Sequence, residues 1–271
     1  MNVLFTVWEL DPFIKFGGLG DVARSLPFAL KKRGVDIRSA LPYYSAVRLG
    51  RNKKTKVAKF RVEFAKRNEM VEVYKVFHPL GKNAVYLVRN KRYLEIPKSQ
   101  DAFAFFDKAI VEAIKNNHLD FVPEIIHCND HHTGLIPLLV KENKLRVKTI
   151  LTIHNLAYQG SNPVDIVKKL GLDESKCRVL HWEIKSRKIN FLMEGIIHAD
   201  IVTTVSPTYA KEIKTEEFGA GLEEILRGKE GRIFGILNGI DLDYRLFMHR
   251  KVIKIQMLEK IHLMVILANP I

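Results

Sequence analysis

The hydrophobic positions of the chain alternate between short apolar runs and longer segments with helical spacing. Residues 2–7 form a short apolar run of strand-forming side chains, which predicts a buried parallel strand. Residues 19–33 carry apolar side chains at helical spacing and are followed by Gly34, which predicts a helix and its end. Residues 35–41 predict the next strand. The chain therefore opens with a strand, a glycine loop, a helix and a strand, the order of a right-handed crossover unit.

Between residues 48 and 98 the pattern changes to the apolar–polar alternation of antiparallel strands. We interpret this part as a small antiparallel insert in a parallel sheet. Its predicted strands are 57–64, 70–77 and 84–88, with a turn at 80–83.

After the insert, strands and helices alternate again, which predicts a doubly wound, Rossmann-like parallel α/β sheet. The predicted helices are 102–116, 133–143, 164–170 and 189–198, and a further helix begins at Ser206-Pro207 with Ser as N-cap. The predicted strands are 124–128, 148–153, 201–205 and 233–237. We assign residues 1–241 to this fold.

The last residues, 242–271, form an atypical tail. From Met248 onward it contains three of the six Met residues and five Ile but no Gly, no aromatic side chain and no helix cap. We predict no stable fold for it.

Composition sets broad limits on the function. The 271 residues are 47% hydrophobic and 27% charged, which is ordinary for a globular protein. No apolar run is long enough to cross a bilayer, and the N-terminus lacks the basic flank of a secretory signal. Cys128 and Cys177 are far apart, which excludes a disulfide scaffold or a cysteine zinc site. We therefore expect a cytoplasmic protein that does not bind a membrane.

The net charge of +14 taken alone suggests a nucleic-acid partner. Its distribution argues against one. Residues 48–98 hold 15 basic and 4 acidic residues, and residues 248–271 hold 4 basic and 1 acidic. The rest of the chain is balanced and shows no helix-turn-helix, zinc-finger or RNP-type motif. We expect no nucleic-acid binding. We interpret the excess of positive charge as belonging to a solvated insert.

The first candidate site is the glycine loop between the first strand and the first helix, from Lys15 to Asp21. Ligands of open α/β sheets bind at the carboxyl ends of the strands. Backbone amides of Gly17 and Gly18, the helix N-terminus and Lys15 could hold a phosphate. The spacing is not that of a dinucleotide fingerprint, so a plain tight turn is the alternative.

Two further polar clusters follow predicted strands. Residues 127–132 contain three His and Asp130, but their spacing suits a metal ion poorly, and capping of the next helix by Asp130 is the alternative. In residues 152–160, His154, Asn155 and Tyr158 offer hydrogen bonds and stacking suited to a sugar. Three polar clusters at one edge of a sheet predict a binding site.

Together these segments resemble the bacterial glycogen synthases and plant starch synthases, which transfer glucose from a nucleotide sugar. The resemblance extends from Met1 to about Asp241. The matching segments are 15–22, 127–134, 152–160, 199–200, 203–210, 218–222 and 237–241.

The resemblance implies the N-terminal, acceptor-side half of a two-domain GT-B glycosyltransferase. It implies transfer from ADP-glucose or UDP-glucose to the non-reducing end of an α-1,4-glucan with retention, without a metal ion or cofactor. It places His154 beside the transferred glucose and Lys15 near the donor phosphates. The implied catalytic residues are His154 and Asp130, and the implied substrate-binding residues are Lys15, Gly17, Gly18, Asp21, Asn155 and Tyr158.

The chain also departs from the family pattern. His131 stands where the family usually has an aromatic residue, and the similarity stops after Asp241, so the nucleotide-binding C-terminal domain is expected to be absent. We treat Asp241-Leu242-Asp243 as a turn, because this chemistry needs no metal-binding D-x-D. A frameshift or an early stop would explain the break, and a separate C-terminal synthase domain is a possible partner. We expect little activity from the chain alone.

Two alternatives remain at the level of sequence. One is a non-catalytic α-glucan-binding module, which the acceptor-side resemblance supports. The other is a basic nucleic-acid-binding protein, which only the net charge favours. The sequence does not distinguish ADP-glucose from UDP-glucose as the donor.

Overall fold

A nine-stranded β-sheet forms the centre of the molecule. The computed structural model describes residues 1–79, 82–96, 100–172 and 188–239. Within these ranges the strands are β1 (Asn2–Thr6), β2 (Asp36–Pro42), β3 (Thr55–Phe64), β4 (Arg67–Phe77), β5 (Ala84–Arg89), β6 (Ile125–Asn129), β7 (Lys148–Ile153), β8 (Ser161–Pro163), β9 (Lys188–Asn190), β10 (Ile201–Thr204) and β11 (Ile233–Gly235). The helices are α1 (Gly18–Lys31), α2 (Asp101–Lys115), α3 (Ile136–Glu142), α4 (Asp165–Lys169), α5 (Phe191–His198), α6 (Pro207–Glu212) and α7 (Glu223–Gly228).

The large sheet has the strand order β11-β10-β7-β6-β1-β2-β5-β4-β3, and β8 pairs with β9 in a separate two-stranded sheet. All neighbours from β11 to β5 are parallel. The chain moves from β1 toward β2 in one direction and later from β6 toward β11 in the other. The order therefore reverses beside β1, which confirms the predicted doubly wound sheet and directs attention to the carboxyl ends of β1 and β6.

The strand β1 lies at the middle of this sheet, between β2 and β6. Its side chains Val3, Leu4 and Phe5 are fully buried. A strand that is covered on both faces needs a continuous apolar run rather than an alternating one, and the sequence has that run.

The insert differs from the prediction in one respect. The strands β3 and β4 pair antiparallel as expected, and β4 pairs antiparallel with β5. However, β5 pairs parallel with β2, so it belongs to the parallel sheet. The excursion is thus a hairpin of β3 and β4 that extends the sheet at one edge. It packs against α2, and Phe60 stacks on His118, just after the end of α2, with ring centroids 4.4 Å apart.

Two predicted helices begin later than expected. The helix predicted at 133–143 starts at Ile136, after a short 3-10 turn at His131–Thr133. The helix predicted at 189–198 starts at Phe191, because residues 188–190 pair as β9 with β8. The predicted cap of the following helix is confirmed, since the Ser206 hydroxyl oxygen accepts a hydrogen bond from the Tyr209 amide at 2.9 Å.

Close contact between α5 and the turn before α3 depends on two glycines. A Cβ atom at Gly134 would lie 2.3 Å from the carbonyl oxygen of Phe191. A Cβ atom at Gly195 would lie 2.9 Å from both the carbonyl oxygen of Gly134 and a methyl carbon of Leu151. These glycines let the two backbones approach over β7.

Several predicted features lie outside the described residues: part of the turn at 80–83, Cys177, Asp241-Leu242-Asp243 and the tail at 242–271. Within the described residues, no helix has the length and apolar character required to cross a membrane.

Candidate functional site at the carboxyl edge of the sheet

The glycine loop between β1 and α1 is built around a buried carboxylate. Glu9 is only 6% exposed, and its Oε2 atom accepts hydrogen bonds from the backbone amides of Phe16 and Gly17, the latter at 2.8 Å. Of the two glycine amides that the sequence suggested for a phosphate, that of Gly17 is therefore engaged by the protein itself. Phe16 presents its ring to solvent and is 72% exposed.

The amino end of α1 faces open space beyond this loop. Gly17 is the N-cap in extended conformation, and a Cβ atom at Gly18 would meet no atom within 4 Å. The amides of the first helical turn carry a partial positive charge and have no partner within their own helix. Of the predicted loop, it is this turn that can approach an anion.

Lys15 and Asp21 form an ion pair at the mouth of the loop. Lys15 Nζ lies 2.7 Å from one carboxylate oxygen of Asp21 and 2.8 Å from the other. Arg24 lies 3.9 Å from Asp21 and also pairs with Asp11. Asp21 therefore orients Lys15 and reduces the positive charge that the loop presents.

Asp130 follows β6 in a strained backbone conformation, with φ +55° and ψ −171°. A non-glycine residue in this region costs on the order of 1–3 kcal/mol and is held by its surroundings. Its Oδ1 atom accepts hydrogen bonds from the amides of His154 at 2.7 Å and Asn155 at 3.3 Å. Its own amide donates to the Thr152 carbonyl at 2.9 Å.

This arrangement corrects the predicted capping role of Asp130. Its carboxylate serves the loop after β7 rather than the next helix. The amide of Leu135, at the start of α3, instead donates to the carboxylate of Asp107 from α2 at 2.9 Å. The buried Asp107 could not be assigned this contact from the sequence, because it lies in a helix that is distant along the chain.

Burial raises the pKa of Asp130 to about 7, and the negative charge of Glu9 acts in the same direction. The two hydrogen bonds from the His154 and Asn155 amides oppose this rise. The carboxyl group is 7% exposed, so loss of hydration is the main cause. Asp130 is thus able to exchange a proton near neutral pH.

His154 is oriented by a neighbour that the sequence did not single out. Its Nε2 atom lies 3.0 Å from Oδ1 of Asn129, the last residue of β6. The Asn129 amide nitrogen donates to the Thr6 carbonyl at 2.9 Å, which fixes the amide orientation. Because an amide oxygen only accepts, Nε2 of His154 is the donor in this hydrogen bond.

His131 and His132 belong to a buried group of rings rather than to a metal site. Their ring centroids are 3.9 Å apart, and His132 stacks on Trp8 at 5.8 Å. Burial lowers the pKa of His131 to about 4 and that of His132 to about 3. A Cβ atom at Gly160 would lie 2.9 Å from the His131 ring, so this glycine makes room for it. Among the described residues, no three His, Cys, Asp or Glu side chains are grouped to hold a metal ion.

The loop after β7 presents Asn155 and Tyr158 at the surface. The Asn155 side chain accepts a hydrogen bond from the Ala157 amide at 2.9 Å, which closes a tight turn. The Tyr158 ring is 66% exposed at the same edge as Phe16. The Leu156 amide donates to the Tyr209 hydroxyl at 3.0 Å, and Gln159 donates to the Ala220 carbonyl at 3.0 Å. Residues 203–210 and 218–222, two of the segments that carry the family resemblance, thus support this loop.

The structure brings the three predicted clusters to one edge of the sheet. Asp130, His154 and Asn155 are in direct contact through hydrogen bonds, and Glu9 connects Asp130 electrostatically with the loop of Gly17 and Lys15. Tyr158 is at the rim. The sequence analysis did not predict Glu9 and Asn129 as site residues. Each is a polar residue at or just after the carboxyl end of a buried strand, and the sequence contains this signal.

Comparison with known proteins identifies the same architecture. The sequence profile of the starch synthase catalytic domain matches residues 2–228. Glycogen synthase of Clostridium novyi is 42% identical over 260 residues, which cover 90% of this chain and 53% of the relative. The Caldicellulosiruptor saccharolyticus glycogen synthase is 41% identical over 263 residues, covering 90% of this chain and 53% of the relative.

Among solved structures, the catalytic domain of starch synthase IV from Arabidopsis thaliana, bound to ADP and acarbose, matches with a TM-score of 0.78 at 26% identity. The match covers 89% of this chain and 52% of that chain. The fold therefore matches about half of a GT-B glycosyltransferase catalytic domain. The chain belongs to the starch synthase catalytic domain family, which includes the glycogen synthases. It spans about half the length of the curated relatives that it matches.

Proposed function

We propose that this chain is the acceptor-side half of a glycogen or starch synthase. The proposed reaction transfers glucose from ADP-glucose or UDP-glucose to the non-reducing end of an α-1,4-glucan with retention of configuration. The observation that carries the proposal is the convergence of Asp130 and His154 with the amino end of α1 at one edge of the sheet. A family relative solved with ADP and acarbose supports the ligand classes.

We assign the roles by position. Lys15, held by Asp21, and the first turn of α1, which begins at Gly18 after the N-cap Gly17, face the phosphates of the donor. Electrostatic stabilisation of the departing phosphate is the principal contribution expected from such groups.

At the reacting end, His154 and Asp130 lie beside the transferred glucose. Asn129 holds the His154 ring in one orientation, and the Asp130 carboxyl fixes the backbone of His154 and Asn155. Preorganised groups of this kind lower the barrier because they need no rearrangement during reaction. Asn155 and Tyr158 complete the sugar-facing rim, and no metal ion or cofactor is required.

The transfer is tested by measuring incorporation of labelled glucose into glycogen from ADP-glucose and from UDP-glucose. We expect negligible turnover by the purified chain, since it covers only half of its relatives. When the chain is joined to the second half of the Clostridium novyi relative, we expect turnover. Lys15→Ala should then lower kcat/KM by about 100-fold, as for loss of one charged contact at a leaving group.

Lys144→Ala, an exposed lysine on the loop after α3, serves as the control and should leave kcat/KM unchanged. Robust turnover by the chain alone, or equal effects of the Lys15 and Lys144 substitutions, would contradict the proposal.

A second function, α-glucan binding without catalysis, is favoured by the exposed Tyr158 ring at the rim. Aromatic rings offer an apolar face to a sugar. On an amylose column we expect Tyr158→Ala to reduce retention and Lys15→Ala to leave it unchanged. Phe77→Ala is the matched control, because Phe77 is also exposed but lies at the opposite edge of the sheet.

A further inference from the structure

Glu9 connects the glycine loop with the second polar cluster, residues 127–132, at the carboxyl edge of the sheet, which we call the cleft. It lies three residues after the end of β1 and is almost fully buried, yet its carboxylate makes no ion pair among the described contacts. Both hydrogen bonds to its Oε2 atom come from backbone amides, those of Phe16 and Gly17. A buried carboxylate that binds amides fixes the direction of the peptide units that carry them.

The amino end of α1 packs directly against this carboxylate. A Cβ atom at Gly20 would lie 3.2 Å from Glu9 Oε2 and 3.1 Å from Cγ of Lys15. A Cβ atom at Gly17 would lie 3.5 Å from Glu9 Oε1. Because Gly20 has no side chain, the Glu9 carboxylate fits behind the loop.

On its other side, the charge of Glu9 acts on two groups. It contributes to the raised pKa of Asp130 and to the raised pKa of the Tyr44 hydroxyl, both of which are raised mainly by burial. Tyr44 donates a hydrogen bond to the carbonyl of Trp8, next to Glu9, at 3.1 Å. One carboxylate thus touches the loop and acts across the cleft on Asp130.

We propose that Glu9 is a positioning residue of this edge of the sheet, which holds the glycine loop through the backbone amides of Phe16 and Gly17. It directs the amides of Phe16 and Gly17 away from the cleft and leaves the first turn of α1, at Gly18, facing open space. The functional meaning of this role rests on the proposed function.

The first test measures amide hydrogen exchange by NMR in the wild-type chain, Glu9→Ala, Glu9→Gln and the control Glu142→Ala. In Glu9→Ala we expect exchange at Phe16 and Gly17 to be at least about tenfold faster, because a charge-assisted hydrogen bond is lost at each amide. Gln retains an acceptor oxygen of the same shape, so Glu9→Gln should restore slow exchange. Glu142 is an exposed residue of α3, and its substitution should leave these amides unchanged.

The second test follows the Asp130 carboxyl carbon by NMR as a function of pH. The titratable groups around Asp130 are Glu9 and His154, with His131 and His132 next along the chain. Because Glu9→Gln removes one negative charge without changing shape, the midpoint for Asp130 should fall by roughly half a unit or more. The Glu142→Ala control should keep the wild-type midpoint.

Neither measurement uses a nucleotide-glucose donor or a glucan acceptor. Failure of the transferase assay would therefore leave both readouts intact. Unchanged exchange at Phe16 and Gly17 in Glu9→Ala would overturn the role of Glu9 in the loop. An unchanged Asp130 midpoint in Glu9→Gln would overturn the electrostatic action of Glu9 on Asp130. Equal acceleration of exchange in the loop and throughout β6 would also overturn the role of Glu9 in the loop, because this indicates a loss of global stability alone.

Discussion

At the scale of single residues, the cleft contains ionisable groups whose pKa values are moved by burial in opposite directions. The pKa of Asp130 rises to about 7, while the pKa values of His131 and His132 fall to about 4 and about 3. In each case the low-dielectric surroundings disfavour the charged form. Between pH 4 and pH 7 all three groups are therefore largely neutral in the folded protein.

This has a measurable consequence for stability at Asp130. An unfolded Asp loses its proton near pH 4, but the folded protein retains it up to about pH 7. The folded state binds more protons in this range, so the contribution of Asp130 to the free energy of unfolding falls as the pH rises.

We predict that Asp130→Asn, which keeps the acceptor oxygen, gains stability relative to the wild type as the pH rises. The gain is about 1.5 kcal/mol at pH 5 and reaches at most about 4 kcal/mol at pH 8. Urea unfolding at the two pH values measures it. A difference that stays constant over this range would contradict the prediction.

At the scale of elements, the approach of α5 to the turn before α3 depends on the glycine pair. A Cβ atom at Gly195 would overlap the carbonyl oxygen of Gly134 and the Leu151 side chain. Backbone atoms cannot move aside as the end of a flexible side chain can, so α5 would have to shift. The turn before α3 includes the residues that follow Asp130, and strain there extends to the site.

We predict that Gly195→Ala destabilises the fold by about 1–3 kcal/mol, as for overpacking of a filled interior. The free energy of unfolding from urea titration measures this. Gly228→Ala is the matched control, because Gly228 also lies in a helix and a Cβ atom there would meet no atom within 4 Å. The control should be neutral or stabilising, and equal losses in both variants would refute the explanation.

The elements were predictable where local sequence decides them. The apolar run of β1 and the Ser206 cap were found from the sequence, since burial on both faces and N-capping each leave a local pattern. The start of α5 was missed because residues 188–190 pair with β8, a contact with distant residues. The parallel partner of β5 was missed for the same reason.

Within the site, local spacing identified the residues but not their partners. Lys15, Asp130 and His154 stand in recognisable segments, and the structure places them at one edge. The contacts of Glu9 with the Phe16 amide and of Asn129 with His154 depend on how loops and strands fold back. Such contacts have no fixed spacing in the chain, so the sequence could not specify them.

At the scale of the whole molecule, part of the positive charge lies on the β3–β4 hairpin at one end of the sheet, where residues 55–77 hold six basic and three acidic side chains. In the described part of the chain, Lys59, Arg61, Lys66 and Arg67 have no carboxylate at ion-pair distance, whereas Lys56 pairs with Glu72. Charged side chains on an edge strand also hinder pairing with other chains. The hairpin is therefore a solvated edge in which like charges repel.

We predict that salt stabilises the wild-type chain by screening this repulsion. Raising the salt from about 0.1 M to about 1 M should increase the free energy of unfolding by roughly 1 kcal/mol. The double variant Lys59→Gln/Arg61→Gln should show a smaller increase. The control Lys144→Gln/Lys211→Gln removes the same charge from exposed positions elsewhere and should respond as the wild type does. If both double variants respond equally, the location of the charge is unimportant.

The glycine loop also has an unexpected charge balance. Glu9, Asp11 and Asp21 surround the two cations Lys15 and Arg24, so the loop carries one more negative than positive charge. These five residues therefore give an anion in free solution no long-range attraction and do not raise its rate of encounter by steering. The attraction of an anion begins only at contact, where the backbone amides and the amino end of α1 act over a few ångströms. For the proposed phosphate ligand, recognition at this loop would therefore rest on shape after arrival, and any electrostatic guidance has to originate outside the loop.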